Sequence, residues 1–349
     1  MPQERNKHEY KVGLLGMGRV IRAFLRHYLE NQAKLWADFG FALKFTAIAD
    51  SRSFLANDEI DIRTVLEEKE KGQPVNRVGK ESIESFMPLI NQQKIDILID
   101  GLPGSRLDAG LSYPYLLTAV KKGIPIICVN KAPIVFKGDE LFQVAKSSGV
   151  YIGLSATTGG ALPAAGMVNE LINAGVYKVR GILNGTSNYV LDKIMFEART
   201  KLEAIQEAVR LGIAEPDYRF DLEGIDTCYK MVIIGLLLTG KCVDLKTIYC
   251  RGIMELSERE IISHVRQGKA VRLIGNLIIE NNEPTISVNP EYLDSSDPLF
   301  SIYGANKGIT FYTRYMGDLT IMGGASGLEA IAATILKDII NYHRLSAFK

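Results

Sequence analysis

Carboxylates and a lysine crowd one segment of the chain, Ala214-Glu215-Pro216-Asp217-Tyr218-Arg219-Phe220-Asp221-Leu222-Glu223-Gly224-Ile225-Asp226-Thr227-Cys228-Tyr229-Lys230. Asp226 and Lys230 are four residues apart, so on a helix they share a face. Asp221 lies just upstream, where the chain enters that helix, and Glu215 follows a Gly-Ile-Ala turn at the end of another. Carboxylates grouped in this way can hold the ammonium of a small amino acid. A lysine drawn into a desolvated pocket beside them can act as an acid or base near neutral pH. The plainer alternative is a surface ion-pair network at a helix start, which is a common arrangement.

A second constellation suits a phosphate. Lys11-Val12-Gly13-Leu14-Leu15-Gly16-Met17-Gly18-Arg19-Val20-Ile21 reads as a short buried strand, a glycine turn and a helix start. Gly16 permits the tight turn, and Gly18 lets a pyrophosphate approach the backbone at the helix N-terminus. Ile21 stands where the dinucleotide fingerprint has its third glycine, the position that normally brings helix and strand close together. The next strand ends in Asp50, placed to bind a ribose hydroxyl, while Arg52 and Arg19 can instead neutralise the 2′-phosphate of NADP. The interval from Gly18 to Asp50 exceeds the usual spacing of about 20 residues, and an extended first crossover through Trp36 accounts for it.

These groups need scaffolds, and the hydrophobic patterning supplies two. Apolar runs at 44–50, 95–100 and 124–131, with a helical stretch at 113–122, alternate strand and helix over the first 150 residues and predict a doubly wound parallel sheet. After about 150 the character changes. Gly159-Gly160-Ala161-Leu162-Pro163 makes a turn before a helix at 164–173. A strand at 177–183 runs into Asn184-Gly185-Thr186-Ser187-Asn188, followed by helices at 189–200 and 201–211. Strands at 271–279 and 285–288 flank Asn281-Asn282, strands at 309–315 and 319–322 follow, and a helix at 327–341 closes the chain after Gly323-Gly324-Ala325-Ser326-Gly327. The predicted class is therefore α/β, a doubly wound parallel dinucleotide-binding sheet with a second α+β catalytic and dimerisation domain whose sheet is mostly antiparallel. The expected domains are 1–150 and 151–322, with the helix of 323–349 packing back on the first.

Length and composition agree with two domains: 349 residues, 47% hydrophobic and 23% charged. A net charge of +1 gives no electrostatic case for nucleic acid or an anionic membrane. Cys128, Cys228, Cys242 and Cys250 show no CxxC spacing and sit mostly in or beside apolar stretches, as buried free thiols of a reducing compartment do. His8, His27, His264 and His343 are scattered, which speaks against a zinc dehydrogenase. No signal peptide is legible, and the longest apolar run, from Met231, is half the roughly 20 residues needed to span a bilayer. A cytoplasmic protein is expected.

Four blocks together resemble the homoserine dehydrogenase family over nearly the whole chain: Glu215 to Lys230, Val129-Asn130-Lys131-Ala132-Pro133, Asn184-Gly185-Thr186-Ser187-Asn188-Tyr189, and Asn306 ahead of the Gly323 turn. The resemblance implies NAD(P)-dependent interconversion of L-aspartate 4-semialdehyde and L-homoserine, with a small amino-acid substrate and a homodimer. Lys230 and Lys131 are then the catalytic lysines, with Asp226 beside them. Glu215, Asp221 and the Asn184-Gly185-Thr186 turn fall on the substrate. Gly16, Gly18, Arg19, Val20, Asp50, Arg52, Asn130, Lys131 and Gly327 fall on the cofactor, NADP or NAD. Backbone carbonyls of Ser155, Thr158, Gly160 and Leu162 fall on a site for a monovalent cation, Na+ or K+. Hydride transfer to an aldehyde develops an alkoxide, which a nearby ammonium can stabilise and protonate.

The sequence departs from the family pattern at Ile21, at Gly101-Leu102-Pro103, at Ser155 where the family often has Glu, and in the Gly323 turn. A monofunctional enzyme is expected, since no aspartokinase-like segment precedes the glycine turn and no regulatory domain follows the last helix. Two other functions fit the same scaffold: a dehydrogenase of another amino-acid-like substrate, and a cofactor-binding sensor without turnover. The two lysines and three carboxylates speak against the sensor.

Overall fold

The parallel sheet forms first along the chain. The computed structural model describes residues 7–76 and 82–346, and the chain divides into two compact units, Met1–Thr157 with Ile331–Lys349, and Thr158–Ala330. In the first unit, β1 (His8–Leu15), β2 (Phe41–Ala49), β3 (Phe54–Ala56), β4 (Ile97–Asp100), β5 (Ile126–Cys128) and β6 (Ile152–Gly153) build a six-stranded sheet in the order β3-β2-β1-β4-β5-β6. All neighbours run parallel except β3, which is antiparallel to β2. Every side chain of β4 and β5 is buried, as expected when helices cover both faces of a parallel sheet. The strand order reverses between β1 and β4, and ligands bind such sheets at the C-terminal ends of the strands beside that reversal.

The first crossover is a single 21-residue helix, Arg19–Phe39, ended by Gly40 at φ 78, whose amide bonds Leu35 O. Its length explains the wide interval between Gly18 and Asp50. The last helix, Leu328–Ser346, joins the first unit from Ile331 onward. There His343 bonds the Tyr10 hydroxyl at 2.9 Å and Phe39 O at 3.0 Å. Residues 347–349 of the predicted terminal segment lie outside the described residues.

The second unit holds β7 (Val176–Ile182), β8 (Tyr249–Cys250), β9 (Ala270–Glu280), β10 (Glu283–Leu293), β11 (Lys307–Thr313) and β12 (Leu319–Gly323), ordered β12-β11-β7-β9-β10-β8. It is antiparallel apart from the β10–β8 pair. Asn281 and Asn282 take φ of 51° and 62°, the left-handed pair that a two-residue hairpin between β9 and β10 demands. The apolar helix Ile225–Thr239 lies close against this sheet because Gly275 leaves room. A Cβ there would come within 2.9 Å of Met231 and Thr227.

Two local features differ from the sequence reading. The helix expected at 164–173 ends at Glu170, and Asn173 turns the chain at φ 64. The Asn184-Gly185-Thr186 turn is already the start of a helix, Gly185–Glu197, because the Asn184 side chain caps it by accepting from Ser187 N at 2.9 Å. Among the described residues, no helix is long and apolar enough to cross a membrane.

Candidate active site

In the first unit the glycine turn is shaped for a phosphate. Gly16 has φ 93, and a Cβ there would lie 2.5 Å from Gly101 O, so only glycine fits. Gly18 is the N-cap of the Arg19–Phe39 helix and provides no side-chain cap; a Cβ on it would meet nothing within 4 Å. The first helical amides have no intrahelical acceptor, and no acidic side chain occupies the first turn. These residues fit the pyrophosphate of a dinucleotide. Arg19 is exposed and Val20 half-buried beside them.

Ile21, in place of the third glycine, is matched from the sheet side. Its side chain is buried, and a Cβ built on Gly101 would lie 2.2 Å from Ile21 Cγ1. Helix and strand still approach closely, because Gly101, just after β4, leaves room for the Ile21 side chain. Ile21 and Gly101 are thus complementary in volume.

Asp50 is placed at the end of β2 but is fully engaged. Its Oδ1 accepts from Arg52 N and Ser53 N at 2.8 Å and from Ser53 Oγ at 3.1 Å. Its Oδ2 accepts from Lys69 Nζ at 2.6 Å and Val75 N at 3.2 Å. Burial pushes this carboxyl up, but Lys69 and the Arg52 and Ser53 amides outweigh burial and hold it below the usual range. The Arg52 guanidinium donates to Gly72 O at 2.9 Å.

Lys131 follows β5 at the C-terminal edge of the sheet and is the half-buried N-cap residue of the Ala132–Ser148 helix. Asn130 fixes that entry: Oδ1 accepts from Ala132 N at 3.0 Å, and Nδ2 donates to Ser112 Oγ at 3.1 Å. Beneath it, Asp100 is completely buried, with Oδ1 accepting from Leu102 N at 3.1 Å and Oδ2 unpartnered. Burial pushes its carboxyl up to about 7, against the opposing pull of Ser112, the Leu102 amide and Asn130. Ser155 is bound through N (2.8 Å) and Oγ (2.6 Å) to the buried carboxylate of Asp338. An acid absent at position 155 therefore arrives from the last helix.

In the second unit the acid-rich segment folds into a buried cluster. The Lys230 ammonium donates to Asp226 Oδ2 at 2.5 Å and to Leu183 O at 2.7 Å, and the two side chains are 13% and 7% exposed. The pair is thus not a surface ion pair. Asn184 Nδ2 bridges Asp221 Oδ1 (2.7 Å) and Asp226 Oδ2 (2.9 Å). Burial, and then the charge of Asp226, push the Asp221 carboxyl up. Thr186 Oγ1 donates to Ile213 O at 3.1 Å, which ties the helix start to the turn that leads to Glu215. Glu215 itself is exposed.

Three side chains matter here that sequence reasoning missed. Lys307, the first residue of β11, is buried and donates to Gly159 O at 3.2 Å and Ala325 O at 3.4 Å. Burial, and then Lys230, lower its pKa to about 8, against an upward pull from Asp226. Asn188 holds the loop leading to it, sharing its amide donors among Ile302 O (3.1 Å), Gly304 O (2.9 Å) and Asn306 O (3.3 Å). Lys69 is the third, at Asp50. A lysine opening the apolar run Gly308-Ile309-Thr310-Phe311 was the one available signal for Lys307; nothing in the sequence pairs Lys69 with Asp50.

The chain has known relatives in sequence and in fold. Residues 164–340 match the family model described as homoserine dehydrogenase. The chain is 27% identical over 335 residues to the homoserine dehydrogenase of Methanocaldococcus jannaschii, covering 95% of this chain and 97% of that one. It is 28% identical over 347 residues to the NAD(+)-dependent homoserine dehydrogenase of Pseudomonas canavaninivorans, covering 98% of each. The crystal structure of homoserine dehydrogenase from Thermoplasma acidophilum shares the fold, with a TM-score of 0.80 at 24% identity over 97% of this chain and 100% of that one. The chain belongs to the homoserine dehydrogenase family.

Proposed function

We propose that the cluster around Lys230 is the catalytic centre of this enzyme, a homoserine dehydrogenase that interconverts L-homoserine and L-aspartate 4-semialdehyde in amino-acid biosynthesis. The observation that carries this is the buried Lys230–Asp226 pair with Leu183 O. Those two acceptors use two of the three ammonium N–H groups and fix the direction of the third. That third N–H is the donor for the substrate oxygen. It stabilises the alkoxide that develops as the aldehyde is reduced and then protonates it. In oxidation the neutral amine takes the hydroxyl proton. Asp226 keeps Lys230 oriented, and Asp221 with Glu215 supplies acceptors for the substrate ammonium. Lys131 is the second catalytic lysine, a role supported by its place at the C-terminal edge of the sheet.

When bound, the nicotinamide cofactor accepts or supplies the hydride. Gly16, Gly18, Arg19 and Val20 would hold its pyrophosphate, and Asn130 and Lys131 of the same unit are the further proposed contacts. We place NADP ahead of NAD. The Asp50 carboxylate is saturated by five donors, so it can accept a ribose hydroxyl only by releasing one, whereas Lys69 and Arg52 bring positive charge to the same strand end. The carbonyls of Ser155, Thr158, Gly160 and Leu162 are the proposed ring for Na+ or K+, tested by titrating activity with KCl against tetramethylammonium chloride. Four free thiols support a cytoplasmic setting.

Adding L-homoserine and NADP+ or NAD+ to the purified protein and following nicotinamide absorbance tests the reaction; no homoserine-dependent signal with either cofactor refutes it. Lys230→Ala should lower turnover by roughly 10²–10⁴-fold, as for a lost acid–base group, with cofactor affinity retained. Near-normal turnover in that variant would place the centre elsewhere.

A further inference from the structure

Lys307 is an ammonium with no anion of its own. It is 6% exposed, and no carboxylate of the described residues forms an ion pair with it. Among the described residues, the only hydrogen bonds of its ammonium are two long ones to neutral carbonyls, Gly159 O and Ala325 O. A buried cation is costly unless paired, and removing one from water without a counter-ion is among the least favourable things a fold can do. Yet the surroundings hold it in place. The loop before it is clamped by Asn188 through three carbonyls. The loop beyond β12 is bound to it through Ala325, and Ser326 Oγ donates to Ala305 O at 3.3 Å.

The position is specific as well. Ala305 O would lie 2.7 Å from a Cβ on Gly185, so the residues just before Lys307 press on the start of the Gly185–Glu197 helix. The first intrahelical bond there runs from Asn188 N to Asn184 O, which leaves the amides of Gly185 and Thr186 without an intrahelical acceptor. Asn184, the cap of that helix, is the residue that bridges Asp221 and Asp226. Lys307 is close enough to the catalytic pair to feel the charges of both Lys230 and Asp226. Acids for the substrate ammonium and an acid–base lysine are therefore present in the cluster, while a counter-ion for the remaining charged group of an amino acid is otherwise missing.

We propose that Lys307 is the counter-ion for the α-carboxylate of the amino-acid substrate, acting beside the first amides of the Gly185–Glu197 helix. The proposal rests on the homoserine dehydrogenase reading and adds to it the residue that selects substrates bearing a carboxylate.

The test compares L-homoserine with 3-aminopropan-1-ol, which is homoserine without its carboxylate, as substrates or competitive inhibitors. Lys307→Gln keeps an amide for the Gly159 and Ala325 carbonyls and removes the charge; Lys307→Arg keeps the charge. Lys307→Gln should lower kcat/KM for homoserine roughly 10- to 100-fold, mainly through KM, the loss expected for a charged hydrogen bond. It should leave 3-aminopropan-1-ol within about 2-fold, and Lys307→Arg should recover part of the homoserine loss. Equal losses on both compounds would make Lys307 a strut between loops and overturn the proposal, as would an unchanged homoserine KM. If Lys307→Gln does not fold, the wild type decides: equal use of the two compounds overturns the proposal, and strong preference for homoserine that Lys307→Arg retains supports it. Absence of homoserine turnover in the wild type would fail the reaction instead, and calorimetric binding of homoserine to wild type and variants would still read Lys307.

Discussion

Gly101→Ala and Ile21→Ala should each destabilise the protein, and together they should cost less than their sum. A methyl at position 101 would sit 2.2 Å from Ile21 Cγ1 and 2.5 Å from Cδ1, whereas carbon atoms in contact rest at about 3.5–4.0 Å. Neither partner can retreat easily. Ile21 is 1% exposed, and the Gly101 amide is bonded to Leu15 O at 2.7 Å. Overpacking of this kind costs about 1–3 kcal/mol. Ile21→Ala removes three buried carbons and should cost about 2–4 kcal/mol. In the double variant the new methyl enters the space that Ile21 vacated, so the clash disappears and part of the cavity is refilled. The double variant should be no less stable than Ile21→Ala alone, a coupling of about 2 kcal/mol. Denaturant midpoints of the four proteins at one concentration, followed by circular dichroism, measure it. Additivity within about 0.5 kcal/mol would refute the reciprocity of the two positions. Gly16→Ala is the control that no change at 21 should rescue, because its Cβ meets the Gly101 backbone at 2.5 Å and its φ is 93.

Lys69→Ala should free the Asp50 carboxylate and shift the preference from NADP toward NAD by roughly tenfold or more, read as the ratio of the two kcat/KM values; an unchanged ratio removes Lys69 from the ribose end. Lys307 has its folded-state pKa lowered from 10.5 to about 8, so the unfolded state binds more protons between those values, and stability rises with pH across that window. Lys307→Met removes this penalty: its stability relative to wild type should be about 3 kcal/mol more favourable below pH 8 than above pH 10.5, and a difference that is flat with pH refutes the buried charge. Sedimentation at micromolar concentration should show a dimer, since Ile278 and Met322 in the antiparallel sheet and Tyr315 after β11 are 43%, 53% and 78% exposed; a monomer counts against it. Phe311 of β11 takes no part in such a surface, since it is fully buried within its own chain.

The features legible in the sequence are those set by local physics. Gly16 and Gly18 announce a turn that only glycine can make. The alternation of strand and helix up to residue 150 fixes the parallel sheet, and the spacing of Asp226 and Lys230 puts them on one helical face. Asn184 was legible as part of a motif but not as a helix cap, because its turn reads equally as the end of a strand. What escaped is reciprocity across long separations. Ile21 is explained by Gly101, Ser155 by Asp338, and Asp50 is claimed by Lys69. Residue types show that each position departs from a pattern, but the compensating volume or charge comes from another element. Lys307 escaped for a related reason: nothing local distinguishes a lysine that begins a strand in solvent from one held inside by three loops.

Charge in the second unit's cluster follows from the same compensations. Two carboxylates, Asp221 and Asp226, and two ammonium groups, Lys230 and Lys307, make up the buried cluster, so these four groups when ionised carry no net charge. An amino-acid zwitterion adds none, and in the binding mode proposed above its ends meet complementary partners: ammonium toward Asp221 and Glu215, carboxylate toward Lys307. On the substrate, the charge that develops as the aldehyde is reduced is the alkoxide, and in the proposed geometry it appears where the third N–H of Lys230 points. A substrate lacking the carboxylate would leave the buried Lys307 charge without an anion in the cluster. Lys307→Gln removes that charge and with it the contact that only a carboxylate-bearing substrate can make. A kcat/KM for 3-aminopropan-1-ol that stays within about 2-fold in Lys307→Gln, while the homoserine KM rises, is the signature expected of a charge that waits for its anion.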